Sequence, residues 1–189
     1  MLTKQKQENE CSKLIIYFKD RNDDFRRANC ASDGAAQELS VIFETRDLTT
    51  ISVILVEAFH SLVLPTSIEV RQLIYMKKNP YPGLIRLLEH KDKQVFTYAN
   101  QLISIFLMDG LYATQTSIPH PQYEQFDANN GIKKVSTLFK KSKLKETKDM
   151  CCIWLGYIYK ARDITDSNMR KEIIHHLITI ADDEDDWVR

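Results

Sequence analysis

Apolar residues recur three and four positions apart along most of the chain, and strict apolar–polar alternation is scarce. That spacing gathers one face of an α-helix, so the pattern predicts an all-α protein. Residues 1–10 are polar, and a frayed or disordered start is expected there. Leu14, Ile15, Tyr17 and Phe18 mark a short helix that ends in an Asp/Asn turn over 20–24. A helix opens at Asp24, and another spans 35–44 with Leu39, Ile42 and Phe43 inward. Thr49 or Thr50 is the expected cap of the next helix, which Pro65 stops after Leu64. Residues 67–78 carry Val70, Leu73, Ile74 and Tyr75 on one face. A Pro/Gly turn over 79–83 leads into a helix at 84–90, and Asp92 caps a long helix reaching Met108.

The helical pattern lapses over 109–130, which contains Gly110, Pro119 and Pro121, although 123–130 can supply a turn of helix. Residues 131–161 then read as a short amphipathic helix, a lysine-rich turn and a longer, mostly apolar helix. Ser167 or Asp166 caps a last helix, with Ile173, Ile174, Leu177 and Ile178 expected inward. An acidic turn at 182–186 precedes Trp187, Val188 and Arg189.

The 131–161 layout occurs three times. A shift of 96 positions lays Leu39, Ile42 and Phe43 on Val135, Leu138 and Phe139, and Ile54, Phe59 and Leu62 on Met150, Leu155 and Ile158. In a middle copy, Leu84, Leu87 and Leu88 match Val135, Leu138 and Phe139, while Ala99, Ile103 and Phe106 match Cys151, Leu155 and Ile158. Periods in the forties belong to helical solenoids, in which a lone helix pair cannot cover its own apolar face and neighbours must hide it.

These residues carry a family resemblance. Gly131 and Ile132, Val135, Leu138 and Phe139, then Cys151, Trp154, Leu155, Gly156 and Ile158 resemble an armadillo repeat. The stretches 83–106 and 34–62 are similar, and 24–28 and 186–189 look like the opening turn of the related HEAT repeats. The resemblance implies a right-handed α-α superhelix, an armadillo-like solenoid of about three full repeats with partial repeats at both ends. One domain over 11–189 is expected, with a long loop at 109–130, as a segment of a longer array.

In that family the long helix of each repeat lines a concave groove that holds a peptide or another protein. The middle long helix carries Thr97, Asn100, Gln101 and Ser104 in one narrow polar stripe. Its registered partners are Val53, Val56, Glu57 and His60 in the first copy and Asp149, Cys152, Ile153 and Gly156 in the third. Glu57, His60, Thr97, Asn100, Gln101, Ser104 and Asp149 are therefore the candidate groove residues. Neutral amides there can hydrogen-bond an extended backbone without reading side chains; the alternative is simply the wet side of a buried helix. Recognition of basic localisation peptides is not expected. The positions of the Asn ladder used by nuclear-import armadillo proteins hold Ser61, Ile105 and Tyr157, those of its Trp hold Glu57, Gln101 and Ile153, and Trp154 is one place out of register.

Charge and chemistry narrow the reading. Formal net charge is zero, so no overall field draws nucleic acid or an anionic membrane. Seven lysines between 133 and 148 read as a solvated surface, with no aromatic residues alternating among them as single-strand binding would want. The run at 182–186 lacks the glycine and ligand spacing of a calcium loop. His175 and His176 point to different sides of a helix, far from useful Cys or His, so zinc is not expected. Cys11, Cys30, Cys151 and Cys152 sit among apolar neighbours and fit free thiols in a reducing compartment. No nucleophile has a base or Gly-rich turn placed beside it, and no phosphate-cradling loop is present. Together these features predict a soluble intracellular chain, cytoplasmic or nuclear, that is not an enzyme, needs no cofactor and serves as a protein-binding scaffold. The alternative is a regulatory or targeting region of a larger multidomain protein whose activity lies elsewhere.

Overall fold

The computed structural model describes residues 4–19 and 21–181. Among them are eleven α-helices, one 3-10 turn and no strand, divided between two compact units, 1–106 and 107–189.

In the first unit α1 (Lys4–Phe18) begins well inside the polar stretch expected to fray. Lys, Gln and Glu are good helix formers. They also pair along the helix: Gln5 Nε2 donates to Asn9 at 3.2 Å, and Lys13 Nζ donates to Glu10 at 2.8 Å. α2 (Asp24–Ser32) is capped by Asp23, whose carboxylate accepts from Arg26 N. Gly34, at φ 97°, takes the left-handed turn into α3 (Ala35–Thr45), a conformation in which a side chain is strained. Thr49 and Thr50 do not cap the next helix. They form a 3-10 turn at Leu48–Thr50 that Asp47 caps, and α4 (Val53–Val63) starts after Ser52.

α5 (Ile68–Lys77) buries Val70 and Ile74. α6 (Tyr81–Leu87) starts three residues earlier than its apolar pattern suggests, because the Asn79 side chain accepts from Tyr81 N and Pro82 suits a first turn. α7 (Lys93–Tyr112), with Asp92 accepting from Gln94 N, runs past Met108 and crosses from the first unit into the second.

Packing in the first unit follows one rule: α1 lies on α4, α2 on α5 and α3 on α6, each helix on the third one after it. The faces that meet are the apolar ones read from spacing. Leu39 and Phe43 of α3, Phe59 and Leu62 of α4, and Leu84 and Leu87 of α6 are all buried, and Phe43 meets Phe59 edge-on. Arg86 of α6 donates to the Phe43 and Arg46 carbonyls, satisfying orphan acceptors at the end of α3. Arg27 is wholly buried. Its Nε donates to Ser61 O, its Nη2 to Phe18 O, and its guanidinium stacks on the Phe18 ring.

The second unit holds the end of α7, α8 (Tyr123–Ala128), α9 (Gly131–Lys141), α10 (Lys145–Ile158) and α11 (Ser167–Ala181). The segment between α7 and α8 is irregular but anchored. His120 is buried, with Nε2 2.9 Å from Leu107 O and Nδ1 accepting from Gln122 N, which sets the neutral Nε2–H tautomer. Lys160 Nζ donates to Leu111 O and Thr114 O at 2.7 Å, capping the end of α7.

α9 packs on α10, and α11 on α10. Asp166 caps α11 through Asn168 N and Met169 N. The inward face of α11 is Met169, Ile173 and Ile180, while Ile174 and Ile178 are exposed at 50% and 64%. The helix is turned relative to its apolar stripe because His176 faces in to meet Asp149. The acidic turn at 182–186 and the residues after it lie outside the described residues.

Candidate functional site

Six of the seven groove candidates lie in the first unit, on α4 and α7. α7 has a sharp division: Val95, Ala99, Leu102, Ile103 and Phe106 are buried, while Thr97 and Gln101 are exposed and Asn100 and Ser104 half-buried. The apolar residues hold α7 on the core, and their spacing turns the polar four to the other side.

The polar groups of the two helices meet directly. The His60 and Tyr98 rings lie against each other, tilted at 49°, with centroids 4.8 Å apart, and the Gln101 side chain lies beside the His60 ring. Burial pushes the imidazole below its ordinary pKa, and Gln101 opposes this. Tyr98 lies near Glu57; burial first, and then that carboxylate, raise the phenol's pKa. These pairs are 41 positions apart, not the 44 that separate registered equivalents, so neighbouring long helices meet one turn off register. Thr97 Oγ1 returns to Lys93 O of its own helix. Asn100 Oδ1 is buried without a hydrogen-bond partner.

Asp149, in the second unit, has a different setting. Its side chain is 4% exposed and accepts from Lys145 Nζ at 2.8 Å and from His176 Nε2 at 2.7 Å. Cys152, one turn on, donates to Ile173 O, and the His176 ring stands edge-on to Phe139. The Asp149 carboxylate therefore joins α10 to α11. Gly156, on the same row, is exposed with open space around it. Trp154 is 1% exposed and belongs to the core.

Apolar periodicity finds the α7 stripe but passes over Tyr98, His120 and Lys160. Only Tyr98 leaves a trace, as an aromatic residue next to Thr97 on the helix that carries the stripe. The cysteines are free; burial pushes the Cys11 thiol up to about 11 and those of Cys151 and Cys152 to about 12, so all three stay protonated at neutral pH. Among the described residues no group of three His, Cys, Asp or Glu side chains is placed to hold a metal, and no helix is long and apolar enough to cross a membrane. Comparison with protein-family models, with curated proteins and with solved structures found no match to the chain.

Proposed function

We propose that this chain is an armadillo-like helical-repeat scaffold without catalytic activity, which binds a protein or peptide along the polar face of α7 beside α4. The stacking of α1 on α4, α2 on α5 and α3 on α6 supports the repeat reading, since it is the order in which three-helix repeats cover one another. The observation that carries the binding reading is the exposed Thr97–Gln101 edge on a helix whose opposite face, Val95, Ala99, Leu102, Ile103 and Phe106, is buried. The tilted His60–Tyr98 ring contact, with Gln101 beside His60 and Glu57 near Tyr98, ties that edge to α4, which favours a preorganised surface for a ligand. An extended peptide is the fitting ligand class: exposed amide and hydroxyl groups at i and i+4 offer donors and acceptors to a backbone without demanding a charge.

The test is affinity capture with the intact protein, compared with a variant carrying Asn100→Ala and Gln101→Ala. Loss of the same partner, by about tenfold or more in recovery for two truncated polar contacts, is the expected result. Unchanged recovery of that partner places binding elsewhere on the molecule.

A further inference from the structure

The direction of α11 carries the end of that helix toward the lysine-rich turn between α9 and α10. Three contacts fix it against α9: Ser136 with Met169, Lys140 with Glu172 at 3.4 Å, and Phe139 with His176. Two more fix it against α10: Cys152 with Ile173 and Asp149 with His176. The α11 numbers rise along α9 and fall along α10, so α11 runs toward the turn that joins those two helices. Ala181 stands about 7.5 Å beyond His176 at the helical rise, and Lys145 about 6 Å beyond Asp149 in the same direction. Ile180, still 3% exposed, shows the packing holding to that level. The chain therefore leaves α11 beside the turn.

That turn is basic. Lys140, Lys141, Lys143 and Lys145 are exposed around it and Lys148 is half-buried. Lys140 is paired with Glu172 and Lys145 with Asp149, but no carboxylate of the described residues lies at salt-bridge distance from Lys141 or Lys143. Glu146 is the one acidic residue in the turn's own sequence. Leu144, at its tip, is 62% exposed. The residues that follow Ala181 are Asp-Asp-Glu-Asp-Asp and then Trp-Val. Five residues span at most about 17 Å, which covers the whole turn.

We infer that the lysine-rich turn between α9 and α10 is a docking surface for an acidic chain segment, and that its occupant is the chain's own 182–186 stretch. The charges are complementary, and a five-residue stretch that starts beside the turn is long enough to cover it. Attachment gives the occupant an effective concentration of roughly millimolar order. An acidic partner from outside must therefore displace it, which makes the stretch a competitor for the same lysines. This inference does not depend on the α7 face.

Zero-length carbodiimide cross-linking of the full chain, followed by mass spectrometry of the monomer, tests the contact. Amide links from 182–186 to Lys141, Lys143 or Lys145 are expected in the monomer at low salt. They should fall about fivefold or more in 0.5 M NaCl, where the screening length is about 4 Å. In a Lys141→Glu, Lys143→Glu variant, both positions being exposed, links to Lys145 should fall comparably while links to lysines elsewhere stay constant. Links confined to dimers, links spread equally over Lys91 and Lys93, or links insensitive to salt and to the charge reversal would each overturn the inference.

Discussion

Gly83 and Gly156 are both helical glycines, yet their surroundings give them opposite value. A Cβ on Gly83 would stand 2.6 Å from Phe43 Cβ, 3.1 Å from Ser40 O and 3.3 Å from Glu44 N. Two of those atoms are backbone, so no rotamer change relieves the clash, and α6 would have to move off α3. A Cβ on Gly156 meets nothing within 4 Å. Gly83→Ala should cost about 1–3 kcal/mol through overpacking, whereas Gly156→Ala should add about 0.5–1 kcal/mol through helix propensity. Urea denaturation of both variants checks this; equal effects would show that α3 and α6 do not approach so closely. Arg27 makes the related point that a charged residue can be structural. It is wholly buried, burial pulls its pKa down, and it ties the ends of α1 and α4 to α2.

At the scale of elements, the Asp149 carboxylate decides how α11 sits. A carboxylate this deeply buried is tolerated only when its oxygens are satisfied, and α11 supplies His176 at 2.7 Å. Meeting that demand turns Ile174 and Ile178 outward, against the helix's own apolar stripe. Asp149→Asn should destabilise the protein by about 1–3 kcal/mol, since it weakens two charge-assisted bonds while keeping the shape. A double-mutant cycle with His176→Gln measures the coupling: a strongly non-additive result is expected, and simple additivity would mean that the two side chains do not interact. A similar logic places the irregular segment before α8. Its lack of helical pattern signals a loop, but His120 and Lys160 pin it through backbone carbonyls.

At the scale of the whole molecule, each of the two compact units contains a buried or half-buried histidine whose pKa is lowered. Burial is the main cause for both His60 and His120; Gln101 opposes it at His60 and the Leu107 hydrogen bond at His120, while Lys160 lowers His120 further. Their folded values lie below the ordinary 6.5, so the unfolded chain takes up protons first as pH falls. Stability is therefore full above pH 6.5 and is lost as pH falls from there through the folded values. Asp47 and Asp166, held low mainly by hydrogen bonds from Thr49 and from Met169 N, act only below about pH 3.8, a separate window. Thermal unfolding at pH 7.5 and pH 5 should show a drop in Tm that His60→Gln with His120→Gln reduces. An unchanged drop in that variant would assign the acid sensitivity to other groups.

Helices α3, α5, α9 and α11 stand within about two residues of where apolar spacing and capping residues put them, because both signals are local. Boundaries moved where a side chain reached the backbone: Asp47 made a 3-10 turn of Leu48–Thr50, and Asn79 started α6 early. The polar stripe on α7 was equally legible, since buried neighbours on one helix define its other face. Its partners were not, because Glu57–Tyr98 and His60–Gln101 join residues on different helices.

The sequence by itself determined that the chain is helical, roughly where most of its helices lie, and which faces are apolar, since all three follow from the 3.6-residue period and the chemistry of helix ends. Tertiary structure alone decided which polar groups meet. Asp149 and His176 are 27 residues apart and Lys160 and Leu111 49, and no local pattern encodes such pairings. They arise where packed apolar faces bring polar groups together away from water, and each buried donor or acceptor then takes the partner within its reach.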